Sequence, residues 1–123
     1  MMTQEEILAY EVAQNKFQHE CERVCKEMSR FDRDFHYLSS FELDVDLVSG
    51  EGEDTWAYGG HEYYCRTFSA NLLKMSDDEL KKHVDNLIRE EEEEKLKQEQ
   101  LKLDRQKERE LKELARLKEK YNM

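Results

Sequence analysis

Residues 41–68 read FELDVDLVSGEGEDTWAYGGHEYYCRTF, and the rest of the chain is arranged around them. Phe41, Leu43, Val45 and Leu47 alternate with Glu42, Asp44 and Asp46, the period-2 pattern of a strand with one face buried. All four glycines and the single tryptophan follow. The segment SGEGEDT (residues 49–55) reads as the turn, because glycine tolerates positive φ and Ser and Asp favour chain reversal. His61 to Phe68, rich in aromatic and β-prone residues, reads as the second strand. The expectation is an antiparallel β-hairpin, with a bulge or an extra short strand at Gly59-Gly60. A lone hairpin is marginal in water, so helices on either side must support it.

Both flanks carry helix signals. Thr3 and Glu6 form a capping box, and Ile7, Tyr10, Phe17, Cys21, Val24, Met28, Phe31 and Phe35 follow at alternating three- and four-residue steps, broken only by Gln14. This predicts a helix from Thr3 to Phe31 or Tyr37, ended by Ser39-Ser40. After the second strand, Ser69 to Met75 reads as a turn that delivers Leu72, Leu73 and Met75 to the core. Ser76 and Glu79 form a second capping box, and Leu80, Val84, Leu87 and Ile88 make a short apolar stripe. From Arg89 onward strong helix formers carry many acid-base pairs three or four apart. A sparse second seam runs through Leu96, Leu103, Leu114, Leu117 and Tyr121, with Gln100, Lys107 and Glu110 at its other positions. The predicted fold class is α+β: an N-terminal helix, an antiparallel β-hairpin, and a long charged C-terminal helix able to form a coiled coil. Residues 1–88 would form the body and 89–123 the helical extension.

Of the 123 residues 41% are charged and only 37% hydrophobic, so the core must be small. Net charge is −10, with 9 acids and 3 bases in residues 76–94 and 6 acids and 10 bases from Lys95 onward. An acidic middle repels phosphate and argues against direct nucleic-acid binding by the hairpin. It suits a basic surface on a protein partner. Three cysteines, two of them one helical turn apart, fit a reducing compartment, and no apolar run approaches the length of a membrane span. The expectation is a soluble cytoplasmic protein that neither enters nor crosses a membrane.

Three constellations bear on chemistry. Cys21 and Cys25 share a helix face with the spacing of packed residues, and His61 and Cys65 would stand ~13 Å apart on a strand, so a zinc site is not expected. Asp44, Asp46, Glu51, Glu53 and Asp54 lack calcium-loop spacing. No nucleophile elbow, phosphate loop or dinucleotide fingerprint occurs, so the reading is a non-enzyme without cofactor or metal. What remains is a ring of acids beside aromatics. Asp44, Asp46, Glu51, Glu53, Asp54 and the run Glu90, Glu91, Glu92, Glu93 and Glu94 would supply charge. Trp56, Tyr58 and His61 would anchor a partner, and one face of Tyr63-Tyr64 must be core.

The segment WAYGGHEYYCRTF (56–68), the link FSANLLKMSDDEL (68–80) and the charged helix ending LARLKEKYN (114–122) resemble small acidic accessory proteins of tailed bacteriophages. In those, as here, an acidic strand precedes a W-x-Y-G-G turn, a strand, a link and a charged helix. The resemblance spans residues 41–123. It implies a phage-type inhibitor of host defence, of the anti-CRISPR or anti-restriction kind, that occupies a nucleic-acid site on a basic effector in the host cytoplasm. The alternative is a structural or assembly protein, a coiled-coil homodimer through a helical seam. In that reading the acidic 76–94 segment of one copy lies antiparallel to the basic 95–120 segment of the other.

Overall fold

A computed structural model describes residues 1–56 and 59–121. Helix α1 (Gln4–Met28) is followed by a 3-10 helix at Arg33–Tyr37, then strands β1 (Leu38–Asp44), β2 (Leu47–Thr55) and β3 (His61–Ser69). A second 3-10 helix (Ala70–Lys74) leads to α2 (Asp77–Lys120). The fold is α+β, with the N-terminal helix and long C-terminal helix that the sequence predicts; in place of the two-stranded hairpin stands a three-stranded antiparallel sheet, whose middle strand separates the two segments expected to pair. The chain divides into two units, Met1–Asn86 and Leu87–Met123.

The sheet has three strands in the order β1-β2-β3, every neighbour antiparallel. The segment SGEGEDT is therefore a strand and not a turn: it forms most of β2, at the centre of the sheet. The reason lies in what its glycines touch. A Cβ on Gly52 would stand 1.6 Å from the Tyr37 carbonyl oxygen, and one on Gly50 would stand 2.8 Å from Leu38 Cδ1 and 3.0 Å from the Phe41 ring. Both glycines serve close approach of chain segments, the second use of glycine inside a strand. Neither has a positive φ. The reversal between β1 and β2 falls instead on Val45 and Asp46, with Asp44 paired to Leu47. Val45 takes a φ of 52°, a conformation that two-residue hairpins usually give to glycine. The Asp46 carbonyl accepts from Ala70 N at 2.8 Å and ties this turn to the far end of β3.

The Thr3 oxygen accepts from Glu6 N at 3.2 Å and starts α1 as expected. The helix stops at Met28, short of Phe31 and Tyr37. Ser29 closes it, donating from Oγ to the Lys26 carbonyl at 2.7 Å, and Asp32 then caps the 3-10 turn by accepting from Asp34 N at 3.1 Å. These short polar side chains offer the backbone a competing partner, and they win over the apolar spacing of Phe31 and Phe35. At α2, Ser76 Oγ accepts from Glu79 N at 3.3 Å, so the second capping signal also holds.

The core is a single cluster within residues 1–86. Cys21, Val24, Cys25 and Met28 of α1 meet Phe35, Leu38, Val48, Phe68 and Leu72, and Leu80 and Val84 come from the first turns of α2. Full burial of Leu80, Val24, Val48 and Val84 contributes about 1.5–3 kcal/mol each. The predicted α1 seam is buried only from Cys21 onward. Ile7 and Tyr10 remain 39% and 59% exposed, beyond the reach of the short strands. Arginines hold the polar joints: Arg23 pairs with Glu20 and Asp77, Arg30 with Glu27 and Asp85, and Arg66 with Asp32 and Asp34. In the second unit, every described residue from Arg89 to Tyr121 is exposed. No helix among the described residues is long and apolar enough to cross a membrane.

Candidate partner-binding face

Strand alternation sorts the sheet residues into two faces. One is covered: Leu38 and Phe41 of β1, Val48, Gly50 and Gly52 of β2, and Tyr64, Arg66 and Phe68 of β3. The other is open to solvent. It carries Glu42 and Asp44 on β1, Glu51 and Glu53 on β2, and His61, Tyr63 and Cys65 on β3.

The open face holds four carboxylates and no lysine or arginine. Its cross-strand pairs avoid acid against acid: Glu42 lies opposite Ser49, Glu51 opposite Ser40 and Cys65, and Glu53 opposite Tyr63. Like charges directly across a ladder would destabilise it. None of the four takes part in an ion pair among the described residues, whereas Glu20, Glu27, Asp32, Asp34, Asp77 and Asp85 are engaged by Arg23, Arg30 and Arg66. Among the body's carboxylates these six form one group that holds the fold, and the four of the open face form a second group facing solvent unneutralised. Tyr63 stands 73% exposed in the middle of the second group, with the His61 ring against it at 5.2 Å, edge to face.

The predicted site residues are distributed as follows. Asp44, Glu51, Glu53 and His61 share the open face. Asp46 sits in the β1–β2 turn, ~26 Å from the opposite end of the nine-residue β2. Asp54 points to the covered side, half-buried. Trp56 is half exposed at the β2–β3 connection, and its indole lies against Gly60, where a Cβ would stand 2.2 Å from Nε1. Gly59, with a φ of 77°, and the Trp56 N–H bond to the Gly60 carbonyl at 3.0 Å shape that connection. Tyr58 lies outside the described residues. Glu90 to Glu94 are exposed on α2 in the second unit, five successive residues that at 100° each girdle the helix on all sides. Sequence reading missed Glu42 as a member of the face and left open which of Tyr63 and Tyr64 faces outward; it is Tyr63. The alternation of Glu42 with Asp44 and of Tyr63 with His61 was the available signal.

The covered side explains the remaining aromatics. Tyr64 stacks on Tyr37 at 4.3 Å and donates to Glu62 at 3.1 Å. Partial burial, and then the Glu62 carboxylate, push its phenol up to about 12. At Asp32 burial opposes ionisation, but the Arg66 guanidinium and the Asp34 amide outweigh it and hold the carboxyl below its ordinary value. Burial, reinforced by Glu20 and Glu22, raises Cys21 to about 11, and burial raises Cys25 to about 12. Both thiols stay protonated at neutral pH and pack as small apolar groups. His61 and Cys65 occupy the open face four residues apart on β3. Among the described residues no three His, Cys, Asp or Glu side chains converge as a metal site requires.

No protein-family model, curated protein or solved structure matches this chain.

Proposed function

We propose that this chain is a non-catalytic binding protein whose open sheet face docks on a basic, nucleic-acid-handling site of another protein and blocks it. That is the inhibitor role which the phage resemblance of residues 41–123 implies. One observation carries the reading: Glu42, Asp44, Glu51 and Glu53 lie unpaired, among the described residues, on one exposed face around Tyr63 and His61, with no lysine or arginine among them. Carboxylates in this array match arginines and lysines spaced for a phosphate backbone, and an exposed tyrosine beside them supplies an apolar anchor. Complementary charge accelerates association and makes it steeply salt-dependent.

The test is capture of partners from bacterial lysate by the tagged protein, after nuclease treatment, beside a Glu51→Lys/Glu53→Lys variant. The expected partner is a nucleic-acid-binding protein whose activity falls at stoichiometric addition of the wild type. The variant, with an unchanged circular dichroism spectrum, loses capture and inhibition at least tenfold. Equal capture by wild type and variant rejects the face as the binding site.

A further inference from the structure

The second unit offers a different surface. Leu96, Leu103, Leu114 and Leu117 are 64%, 52%, 50% and 39% exposed, and Tyr121 is 60% exposed. They recur on one stripe of α2 at three- and four-residue steps, with Gln100, Lys107 and Glu110 in the intervening places. A leucine stripe without cover is the seam of a helix pair. Its two charged members carry opposite signs and sit side by side, and this decides the occupant.

We infer that residues 96–121 of α2 pair antiparallel with the same segment of a second copy, in the register that sets Lys107 against the second copy's Glu110. In that register no layer sets like charge on like, and Gln100 is the one polar residue set against an apolar partner. Leu103 meets the second copy's Leu114, Gln100 its Leu117, and Leu96 its Tyr121; the two-fold axis repeats each layer. The seam's polar centre becomes two Lys107–Glu110 ion pairs. A parallel in-register pair would stack Lys107 on Lys107 and Glu110 on Glu110, like charge on like in adjacent layers. An antiparallel pair shifted by one heptad, to bring Glu93 near the basic end, would keep one leucine layer by setting Leu96 against Leu114, but would place Leu103 against Lys107, Gln100 against Glu110 and Glu93 against Leu117, and would lose both Lys107–Glu110 pairs. Rim ion pairs gained by that shift are weaker than the leucine layers it breaks. A single polar layer that fixes orientation and register is the established use of charge in such a seam.

The inference does not rest on the proposed role of the sheet, since no residue of the open face takes part. Sedimentation equilibrium of the full chain at high-micromolar concentration should give about twice the 14.9 kDa of one copy. Lys107→Glu and Glu110→Lys should each shift the protein to monomer, and mixing the two variants should restore the dimer, because each ion pair then re-forms between copies. In a Cys65→Ser background, oxidation of Leu103→Cys mixed with Leu114→Cys should yield a cross-linked dimer, and neither variant alone should. Cys21 and Cys25 are buried and add no background. A wild type that stays monomeric throughout overturns the inference. So does a dimer that either single-cysteine variant traps alone, which marks parallel helices, or one that neither charge change weakens.

Discussion

Leu80 and Leu103 lie on the same helix, yet one is 1% exposed and the other 52%. The contrast separates two ways of using leucine. In residues 1–86 the apolar side chains of seven elements close on one another, and the stability that results is independent of concentration. In residues 87–121 every side chain from Arg89 onward is exposed, and helix order rests on propensity and on pairs such as Glu91–Lys95 at 3.3 Å. Such pairs add only a few tenths of a kcal/mol each, ~0.2–0.5, so this helix is held far more weakly than the body.

The sharpest attack on the first unit is at its closest backbone approach. Gly52→Ala places a methyl group 1.6 Å from a carbonyl oxygen that cannot rotate away, and should destabilise the body by about 3 kcal/mol or more. Urea titration followed by Trp56 fluorescence reads this directly; a wild-type midpoint would return residues 49–55 to a loop. Leu80→Ala should cost about 2–5 kcal/mol in the same titration, through lost burial and the cavity left behind.

A smaller effect comes from pH. Asp32 titrates below its unfolded value, so its contribution is present above the ordinary carboxylate range and is lost as pH falls through the depressed value. The urea midpoint of the wild type should decline across that acid window, and Asp32→Asn should start lower and decline less. Parallel profiles would remove Asp32 from the fold's support.

Val45→Gly works in the opposite direction. Relief of the positive φ outweighs the added freedom of the unfolded chain, for a gain of about 0.5–1 kcal/mol measured by thermal unfolding. Least of all, Leu101→Ala, off the seam and 55% exposed, should leave the body's urea midpoint within about 0.5 kcal/mol of wild type. A larger loss would erase the distinction between the two units.

Both helix starts, the core stripe Leu80-Val84 and the α+β class were legible because caps and periodicity are local signals. The middle strand was not. Gly50 and Gly52 look alike in a list of residues whether they permit a turn or a close contact, and Tyr37, Leu38 and Phe41, nine to fifteen positions earlier, decide between the two. The true reversal was hidden for the converse reason, since it falls on a valine that strand alternation assigns to a strand. Once β2 is a strand, Glu51 and Glu53 share a face with Glu42, Asp44, His61 and Tyr63, while Asp54 leaves it. The acid count was visible from the start; the reach of Arg23 to Asp77, Arg30 to Asp85 and Arg66 to Asp34 was not, because those pairs join residues 32 to 55 positions apart.

The strand order leaves β1 and β3 each with a free rim, and unpaired rims invite identical chains to add on one after another into fibrils. Here β1 brings Glu42 and Asp44 to its rim and β3 brings Glu62, so a second sheet arriving side-on meets charge of its own sign. The carboxylates of these two edge strands are thus also a protection against the chain's own kind. Neutralising them for crystallisation or for tighter packing would expose the ribbon to self-addition.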